Sequence, residues 1–537
     1  MKSKYQKKVD GIYIDPPYNT KSSEILYKNS FKHSSWLSLL ENRIEVSKEF
    51  LREDGVFTVT IDDYEVPNLW MLLNEKFGRG NHLGTAAIRI NPGGRKSKRK
   101  LAAQHEYAIF FAKNGNTEVS KIKVDPEDKS HSYKKDENGE WFEERNLRKE
   151  GKDSFGDEDS NRYYPIYYDP KTGRISTKEK LEIEILPLDT NGQKRIWRRG
   201  VDDIDDLFDE GDIFYKKTKY GHQIYFRFRG GASQETPKSF WEDAKYSASE
   251  HGTQKLLAMM GREVFSYPKS PFAVEECLKV LSDKKNAFFI DYFAGSGTTA
   301  EAVIRMNKSE KDSDRRFALV EMGQYFGNAT LPRVKKCFFS RDWDNATPLN
   351  EDGLSGAFKY HLIESYEDAL NNIGFKDPED TQQAMEFEDY MLHYMLNFET
   401  QGVSATLLNE DAFETPFDYQ LNIQRGHDSP KPETVDMVET FHYLIGLWLQ
   451  SLRRHDHQNR KYVVSKGQIR NEDSVEDVCI IWRNTNDLDL EKEATWIQET
   501  ILQGQTFDRI YINGVNKVKN AEPIELTFRE KMFEDVA

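Results

Sequence analysis

The chain has 537 residues, 31% of them charged and 37% hydrophobic, with a formal net charge of −15. That length calls for several packed units rather than one core, with ample apolar material to build them. No apolar run approaches the roughly 18 residues of a membrane helix, no basic-then-apolar leader opens the chain, and three scattered cysteines (Cys277, Cys337, Cys479) argue against a disulfide framework or a cysteine-rich zinc site. A reduced, cytoplasmic setting without a membrane or a metal centre is expected.

The apolar stretch 9–14 stops abruptly at Asp15-Pro16-Pro17-Tyr18, the pattern of a buried strand with a turn at its carboxyl end. Helical spacing follows over 36–52 (Trp36, Leu40, Ile44, Phe50, Leu51); Gly55 breaks it, and 56–61 predicts a second buried strand ending at Asp62 and Asp63. Residues 68–77 predict a helix and 107–111 a strand. From 124 to 161 charge is dense and apolar residues are few, which predicts loop or disordered chain. A hairpin is expected over 163–175, turning at Pro170-Lys171-Thr172-Gly173, with further short strands at 213–216 and 223–228. This middle block, ending near Trp241, reads as a β-rich insertion. The α/β pattern then returns: helix 273–281, strand 287–291, a glycine turn, helix 298–306, and strand 317–320 ending at Glu321. Residues 340–356 are polar enough to be a linker. Beyond it, helices are expected at 386–398 and 435–452, and strands at 461–464, 478–482 and 510–512.

Two turns carry chemistry. An exocyclic amine on an aromatic base is a poor nucleophile, because its lone pair is delocalised into the ring. Hydrogen bonds from its two N–H groups to a carboxylate and a carbonyl favour a lone pair directed at a methyl donor. Asp15 and the Pro16 carbonyl offer those acceptors, Pro16 and Pro17 remove competing backbone donors, and Tyr18 can stack on the base. Such a site reaches the amine only after the base leaves its helix. The second turn, Asp291-Tyr292-Phe293-Ala294-Gly295-Ser296-Gly297-Thr298-Thr299, lets backbone approach a bound nucleoside, and Glu321 stands where an acid can hold both ribose hydroxyls. A glycine turn and an acid also suit a dinucleotide, but the third glycine is missing and nothing suggests a hydride site.

Cations cluster twice despite the net charge: Arg89, Arg95, Lys96, Lys98, Arg99 and Lys100, and then Lys194, Arg195, Arg198 and Arg199 around Trp197. Both read as phosphate contacts, with Trp197 as a stacking platform, or as solvated loops. Tyr163, Tyr164, Tyr167 and Tyr168 suit base stacking or sheet packing equally. Asp62 and Asp63 read as strand-end caps and His105 as a hydrogen-bonded structural histidine.

The motifs D-P-P-Y-N-T (15–20) and D-Y-F-A-G-S-G-T-T (291–299) resemble those of β-class amino-methyltransferases of DNA, where the catalytic motif precedes the methionine-nucleoside motif and target recognition lies between them. More closely, the chain is similar to the modification subunit of type III restriction-modification systems, through G-V-F-T-V-T-I-D-D-Y-E (55–65), H-E-Y-A-I-F-F-A-K (105–113) and S-Y-P-K-S-P (266–271). The resemblance implies an α/β, Rossmann-like S-adenosylmethionine-dependent sheet in two halves, 1–118 and 246–340. It also implies a target-recognition insertion over 119–245, a linker over 341–356 and a carboxyl-terminal α/β module over 357–537. Asp15, Pro16, Pro17 and Tyr18 would form the target-base site. Phe293, Ala294, Gly295, Ser296, Gly297, Thr298 and Glu321 would hold S-adenosylmethionine, with Asp291 supporting the turn and Lys269 near the cofactor. An Asp at the first motif position resembles adenine-N6 enzymes more than cytosine-N4 ones, and the reaction would be direct methyl transfer without a covalent intermediate or metal. The implied partners are duplex DNA, a second copy of the chain and a helicase–nuclease restriction subunit, since no G-x-x-x-x-G-K-[ST] loop is present here. A solitary methyltransferase, an inactive DNA-recognition scaffold and an RNA substrate are the alternatives. The helices of the carboxyl-terminal module serve either their own core or a subunit interface.

Overall fold

Val9–Ile14 is buried along its whole length because it is a central strand of a seven-stranded sheet. The computed structural model describes residues 2–19, 32–94, 101–123, 133–156, 160–229, 234–373, 410–425, 429–471 and 474–532. The strands lie in the order Phe240–Trp241, His82–Ile88, Glu106–Ala112, Leu51–Ile61, Val9–Ile14, Phe288–Asp291, Arg316–Leu319. Val9–Ile14 pairs parallel on one side with Phe288–Asp291 (Gly11 beside Phe289) and on the other with Leu51–Ile61 (Ile14 beside Val59). Gly11 must lack a side chain, because a Cβ there would stand 2.9 Å from that of Leu281 on the covering helix Pro271–Leu281. Beyond Leu51–Ile61 the next two pairings are antiparallel, and the edge strand Phe240–Trp241 pairs parallel with His82–Ile88. Trp36, Leu40 and Ile44, one face of Lys32–Phe50, pack on it with Leu69 and Leu73 of Val66–Phe77. The two halves of the sequence diverge from neighbouring central strands. The turns after Ile14 and Asp291 therefore open side by side at the carboxyl edge, where such sheets bind ligands.

Residues 119–237 form a unit of their own. Its core holds Leu147, Ile166, Ile175, Ile185, Trp197, Ile204 and Ile224. The expected hairpin forms, with Ile166–Tyr168 antiparallel to Ile175–Ser176. The expectation of loop over 124–161 is corrected in part, because Tyr133–Lys135 and Trp141–Asn146 are strands that join Ile213–Thr218 and Gly221–Phe228 in a four-stranded sheet. The charges that argued against structure are satisfied locally. Asp136 Oδ1 accepts the N–H groups of Asn138 and Glu140 at 2.9 Å each, closing the turn, and Arg229 bonds Asp136 and, at 2.7 Å, Asp212. Residues 124–132 and 157–159 lie outside the described residues.

The polar stretch 340–356 packs against the sheet unit instead of running free: Trp343 joins Met259, Ile304 and Cys337, and Ala346 N–H donates to the Ala258 carbonyl at 2.8 Å. The helix expected over 435–452 is also corrected. Met437–Ile445 is helical, Gly446 turns the chain at φ 71°, and Trp448–His457 is an edge strand. It leads a five-stranded sheet completed by Arg460–Arg470, Val475–Arg483, Arg509–Ile512 and Ala521–Pro523. Met437–Ile445 and Ile524–Met532 cover one face of this sheet and Leu490–Trp496 the other, so their apolar sides serve a core of their own. The helix expected over 386–398 lies outside the described residues. The short helix Lys2–Tyr5 meets this module through Ser3 Oγ, which donates to the Leu444 carbonyl at 2.9 Å, while the Tyr5 ring lies 4.9 Å from that of Phe288. All three cysteines are free and buried, and among the described residues no helix is long and apolar enough to cross a membrane.

Candidate active site

Asp15 leaves the end of its strand with one oxygen fully engaged. Oδ1 accepts from Thr60 Oγ1 at 2.8 Å and from the Tyr18 hydroxyl at 3.0 Å, and Lys269 Nζ lies 3.2 Å away. Oδ2 has no hydrogen bond among the described residues, and the side chain is 25% exposed. The turn is held from several directions. The Trp36 indole N–H donates to the Pro17 carbonyl at 2.8 Å. Asn19, left-handed at φ 57°, donates to Glu65 Oε1 at 2.7 Å, and Glu65 is itself fully buried and bonded to Asn68 at 2.8 Å. Thr20 lies outside the described residues.

Behind Asp15 stands a group that sequence reasoning missed. Glu106 opens the otherwise apolar strand Glu106–Ala112, and its side chain is 1% exposed. Its Oε2 accepts from the Tyr18 hydroxyl at 2.8 Å and bonds the Lys269 ammonium, while Oε1 is buried without a partner among the described residues. Lys269 was expected near the cofactor; it reaches Asp15, Tyr18 and Glu106 together, its ammonium 4.7 Å from the Tyr18 ring centre. Burial, then the nearby Asp15 and Glu106 charges, holds the Tyr18 hydroxyl well above its ordinary pKa, so it stays a donor. Burial lifts the Glu106 carboxyl as well, against the pull of Lys269. Burial disfavours the Lys269 cation, but Asp15 and Glu106 outweigh it and raise its pKa. The signal for Glu106 was a lone acid at the head of a strand that is apolar elsewhere.

The second turn is built for close approach. Gly295 and Gly297 are left-handed, at φ 52° and 84°, and a Cβ on Gly295 would meet the Phe265 ring at 3.3 Å. Glu321 reaches across: Oε2 accepts the Gly295 N–H at 2.7 Å and Oε1 the Gly323 N–H at 2.6 Å. Val320 and Met322 on either side of it are exposed. Asp291 sits beneath the turn, accepting from Phe293 N–H at 2.9 Å and Thr299 Oγ1 at 2.5 Å, and burial pushes its carboxyl up to about 7 against those bonds. An acid at a strand end beside exposed apolar neighbours and two left-handed glycines suits S-adenosylmethionine chemically, since Glu321 can accept from ribose hydroxyls and Val320 and Met322 can face the adenine. Ser296 and Thr298 face the other way, their hydroxyls lying 2.6 and 2.8 Å from Arg333 Nη1, which donates to both. Arg333, from Thr330–Phe339, also binds Glu301 at 2.9 Å, and Lys255 meets the same carboxylate at 3.1 Å. Burial opposes ionisation of Glu301, yet Arg333 and Lys255 bring its carboxyl down to about 2. This second buried network was also unforeseen.

The residues considered for DNA contact separate. Arg95, Lys96, Lys98, Arg99 and Lys100 lie outside the described residues. Arg89 is half-buried, with an Nε that has no partner among the described residues. Arg198 and Arg199 are exposed. Arg195 is committed to Asp189 at 2.8 Å and stacks on Phe155 at 3.7 Å. Trp197 is corrected: it is 2% exposed, in the core of the insertion, its N–H donating to the Tyr164 carbonyl at 2.8 Å, and it offers no stacking surface. Tyr164 is buried, and Tyr168 stacks on Tyr215 at 3.9 Å, so these two tyrosines pack within the unit. Asp62 accepts the Tyr64 N–H at 2.9 Å as a turn cap, and the His105 ring packs edge-on against Tyr107.

A family model described as DNA methylase, for N6 and N4 methyltransferases, matches residues 9–328, a span that contains both turns, Glu106 and Lys269. The type II methyltransferase M.KpnI of Klebsiella pneumoniae is 30% identical over 325 residues, covering 59% of this chain and 75% of its own length. The EcoPI Mod subunit, a type III restriction-modification enzyme of Escherichia phage P1, is 27% identical over 416 residues, covering 70% of this chain and 62% of its own. The probable type III HindVI Mod subunit of Haemophilus influenzae is 25% identical over 466 residues, 78% of this chain and 59% of its own, so the chain spans less than two thirds of either Mod subunit. Among solved structures, the cytosine-N4-specific PvuII DNA methyltransferase aligns at 12% identity over 64% of this chain and 84% of its own, with a TM-score of 0.34, too low to add weight. With more than half of its length matched, the chain belongs to the N6/N4 family of DNA methylases, whose methyl donor is S-adenosylmethionine.

Proposed function

We propose that the chain methylates N6 of adenine in duplex DNA, serving as the modification and recognition subunit of a type III-like restriction-modification system. The observation that carries this reading is Asp15, anchored through Oδ1 by three groups with its side chain 25% exposed, beside the glycine turn on the neighbouring parallel strand. A flipped base presents its amine to Asp15 and the Pro16 carbonyl, and Tyr18 bounds the base face. The cofactor supplies an electrophilic methyl, and the chain supplies alignment. As the new N–C bond forms and the donor's S–C bond breaks, positive charge moves onto the amine nitrogen. Asp15 stabilises that charge and takes the proton the nitrogen then releases. Adenine is favoured over cytosine by the Asp at the head of the motif and by the likeness to Mod subunits. That likeness also supports a helicase–nuclease partner and a second copy of the chain in the assembly.

The test is transfer of labelled methyl from S-adenosylmethionine to unmodified genomic DNA, followed by digestion to nucleosides. N6-methyladenine is the expected product. N4-methylcytosine would keep the mechanism and overturn the base, and label in a parallel reaction with RNA but not in DNA would overturn the substrate. The 30% identity to a type II methyltransferase favours a second reading, an enzyme that works without a restriction subunit. Co-purification with the product of any neighbouring helicase–nuclease gene separates the two.

A further inference from the structure

We infer that Glu106 is a positioning residue for Asp15, acting through Lys269: it balances the lysine's charge, so that Asp15 keeps its negative charge for the substrate amine. The inference rests on the methyltransferase reading above.

The cluster contains two carboxylates, one ammonium and one hydroxyl. Lys269 Nζ reaches both acids: it bonds Glu106 Oε2 and lies 3.2 Å from Asp15 Oδ1. The Tyr18 hydroxyl lies 2.8 Å from Glu106 and 3.0 Å from Asp15. Glu106 and Asp15 therefore share the same two donors, and with both carboxylates ionised the group as a whole carries one negative charge. Remove the Glu106 charge and the lysine, with a side chain only 12% exposed, has Asp15 as its remaining carboxylate partner. A buried ammonium does not stay half-paired. It would close on Asp15, and the substrate amine would have to compete with it.

The direction of charge flow makes the balance matter. The reaction begins with the positive charge on sulfur and a neutral amine, and it moves that charge to the nitrogen beside Asp15. A cluster with net charge −1 stabilises the charge as it arrives, whereas a neutral ion pair does so far less. The placement supports a fixed electrostatic role. Glu106 heads a strand that pairs with Leu51–Ile61, the same strand that carries Thr60 to Asp15. Its Oε1 is buried with no partner among the described residues, so the side chain stands there without completing a hydrogen-bond network of its own. A glutamine would keep the volume and an acceptor for Tyr18, and would lose the charge alone.

The experiment compares single-turnover methyl transfer by the full chain, Glu106→Gln and the double variant Glu106→Gln/Lys269→Met, with S-adenosylmethionine and DNA affinities measured alongside. Glu106→Gln should slow transfer by roughly a hundredfold while both affinities stay within about twofold. The double variant, which again leaves one negative charge at Asp15, should regain at least about tenfold of that loss. A merely structural role does not permit recovery on deleting a second buried group. Transfer by Glu106→Gln at the parent rate, or a double variant no faster than the single one, overturns the inference. If Glu106→Gln fails to bind cofactor and so has not folded, the double variant decides alone: a rate within about tenfold of the parent supports the inference, and a hundredfold loss overturns it. Failure of the methyltransferase reading shows separately, as no transfer by the parent.

Discussion

Replacing Arg333 with methionine tests whether the buried ionic network under the glycine turn holds the cofactor site in shape. Arg333 is 1% exposed and donates to Glu301 at 2.9 Å, to Ser296 at 2.6 Å and to Thr298 at 2.8 Å. Methionine fills much of the same volume and offers no donor, leaving Lys255 as the remaining cation on Glu301. The cations hold the Glu301 carboxyl down to about 2 from 4.5, which corresponds to roughly 3 kcal/mol. Loss of one partner from a buried pair costs about 3–5 kcal/mol, the same scale. Because the folded carboxyl lies below its unfolded value, this stabilisation is present above about pH 4.5 and is lost as pH falls toward 2. The assay is urea unfolding followed by tryptophan fluorescence, using the transition that S-adenosylmethionine shifts. Arg333→Met should cost about 3 kcal/mol at neutral pH. Arg333→Met/Glu301→Gln should recover at least half of that, since the stranded charge is removed with its partner. Cofactor affinity should fall in the single variant, because Ser296 and Thr298 lose their anchor. A cost below about 1 kcal/mol, or a double variant no more stable than the single one, would refute the reasoning.

Three further outcomes are expected. Thr60→Val keeps the volume and removes the 2.8 Å hydrogen bond to Asp15 Oδ1; a bond to a charged group is worth about 1.5–3 kcal/mol, so single-turnover transfer should slow by roughly 10- to 100-fold with cofactor affinity unchanged. Asp291, pushed up to about 7 in the fold, keeps a proton that the unfolded chain has lost; its contribution to stability is therefore full at low pH and declines as pH rises from about 4 to 7. Asp291→Asn should flatten that part of the stability–pH curve, read from urea midpoints. At Gly446, with φ 71° and a would-be Cβ 2.7 Å from the Ser3 backbone, alanine should cost about 1–3 kcal/mol and free Lys2–Tyr5, visible as faster proteolytic cleavage near the amino terminus.

Both turns were legible because each is local. An apolar strand followed by Asp15-Pro16-Pro17-Tyr18, and another followed by glycines that must be left-handed, state their geometry within a dozen residues. The groups that complete the site come from elsewhere in the chain. Thr60 and Lys269 reach Asp15 from 45 and 254 positions away, Glu106 joins through Lys269, and single-sequence periodicity holds no record of those contacts. Glu106 lies inside the stretch H-E-Y-A-I-F-F-A-K, whose family likeness does not distinguish it from its neighbour His105. Trp197 misled because cations surround it in sequence; Arg198 and Arg199 are exposed and Arg195 turns to Asp189, while Trp197 points into the core. The 435–452 segment misled because Trp448, Leu449 and Leu452 continue an apolar pattern past Gly446, where helix and strand periods cannot be told apart over so few residues. The charged 133–146 hairpin escaped notice because Phe142 is its one buried hydrophobic side chain, which leaves no apolar alternation to read.

The central claim is that Asp15 is the carboxylate that directs the target amine. The most direct test measures methyl transfer to unmodified DNA by the full chain and by Asp15→Asn, with cofactor binding followed calorimetrically in both. Unchanged S-adenosylmethionine affinity and a loss of transfer of at least about a thousandfold are expected. Transfer by Asp15→Asn within about tenfold of the parent would show that the amine is directed by some other group, and would contradict the account.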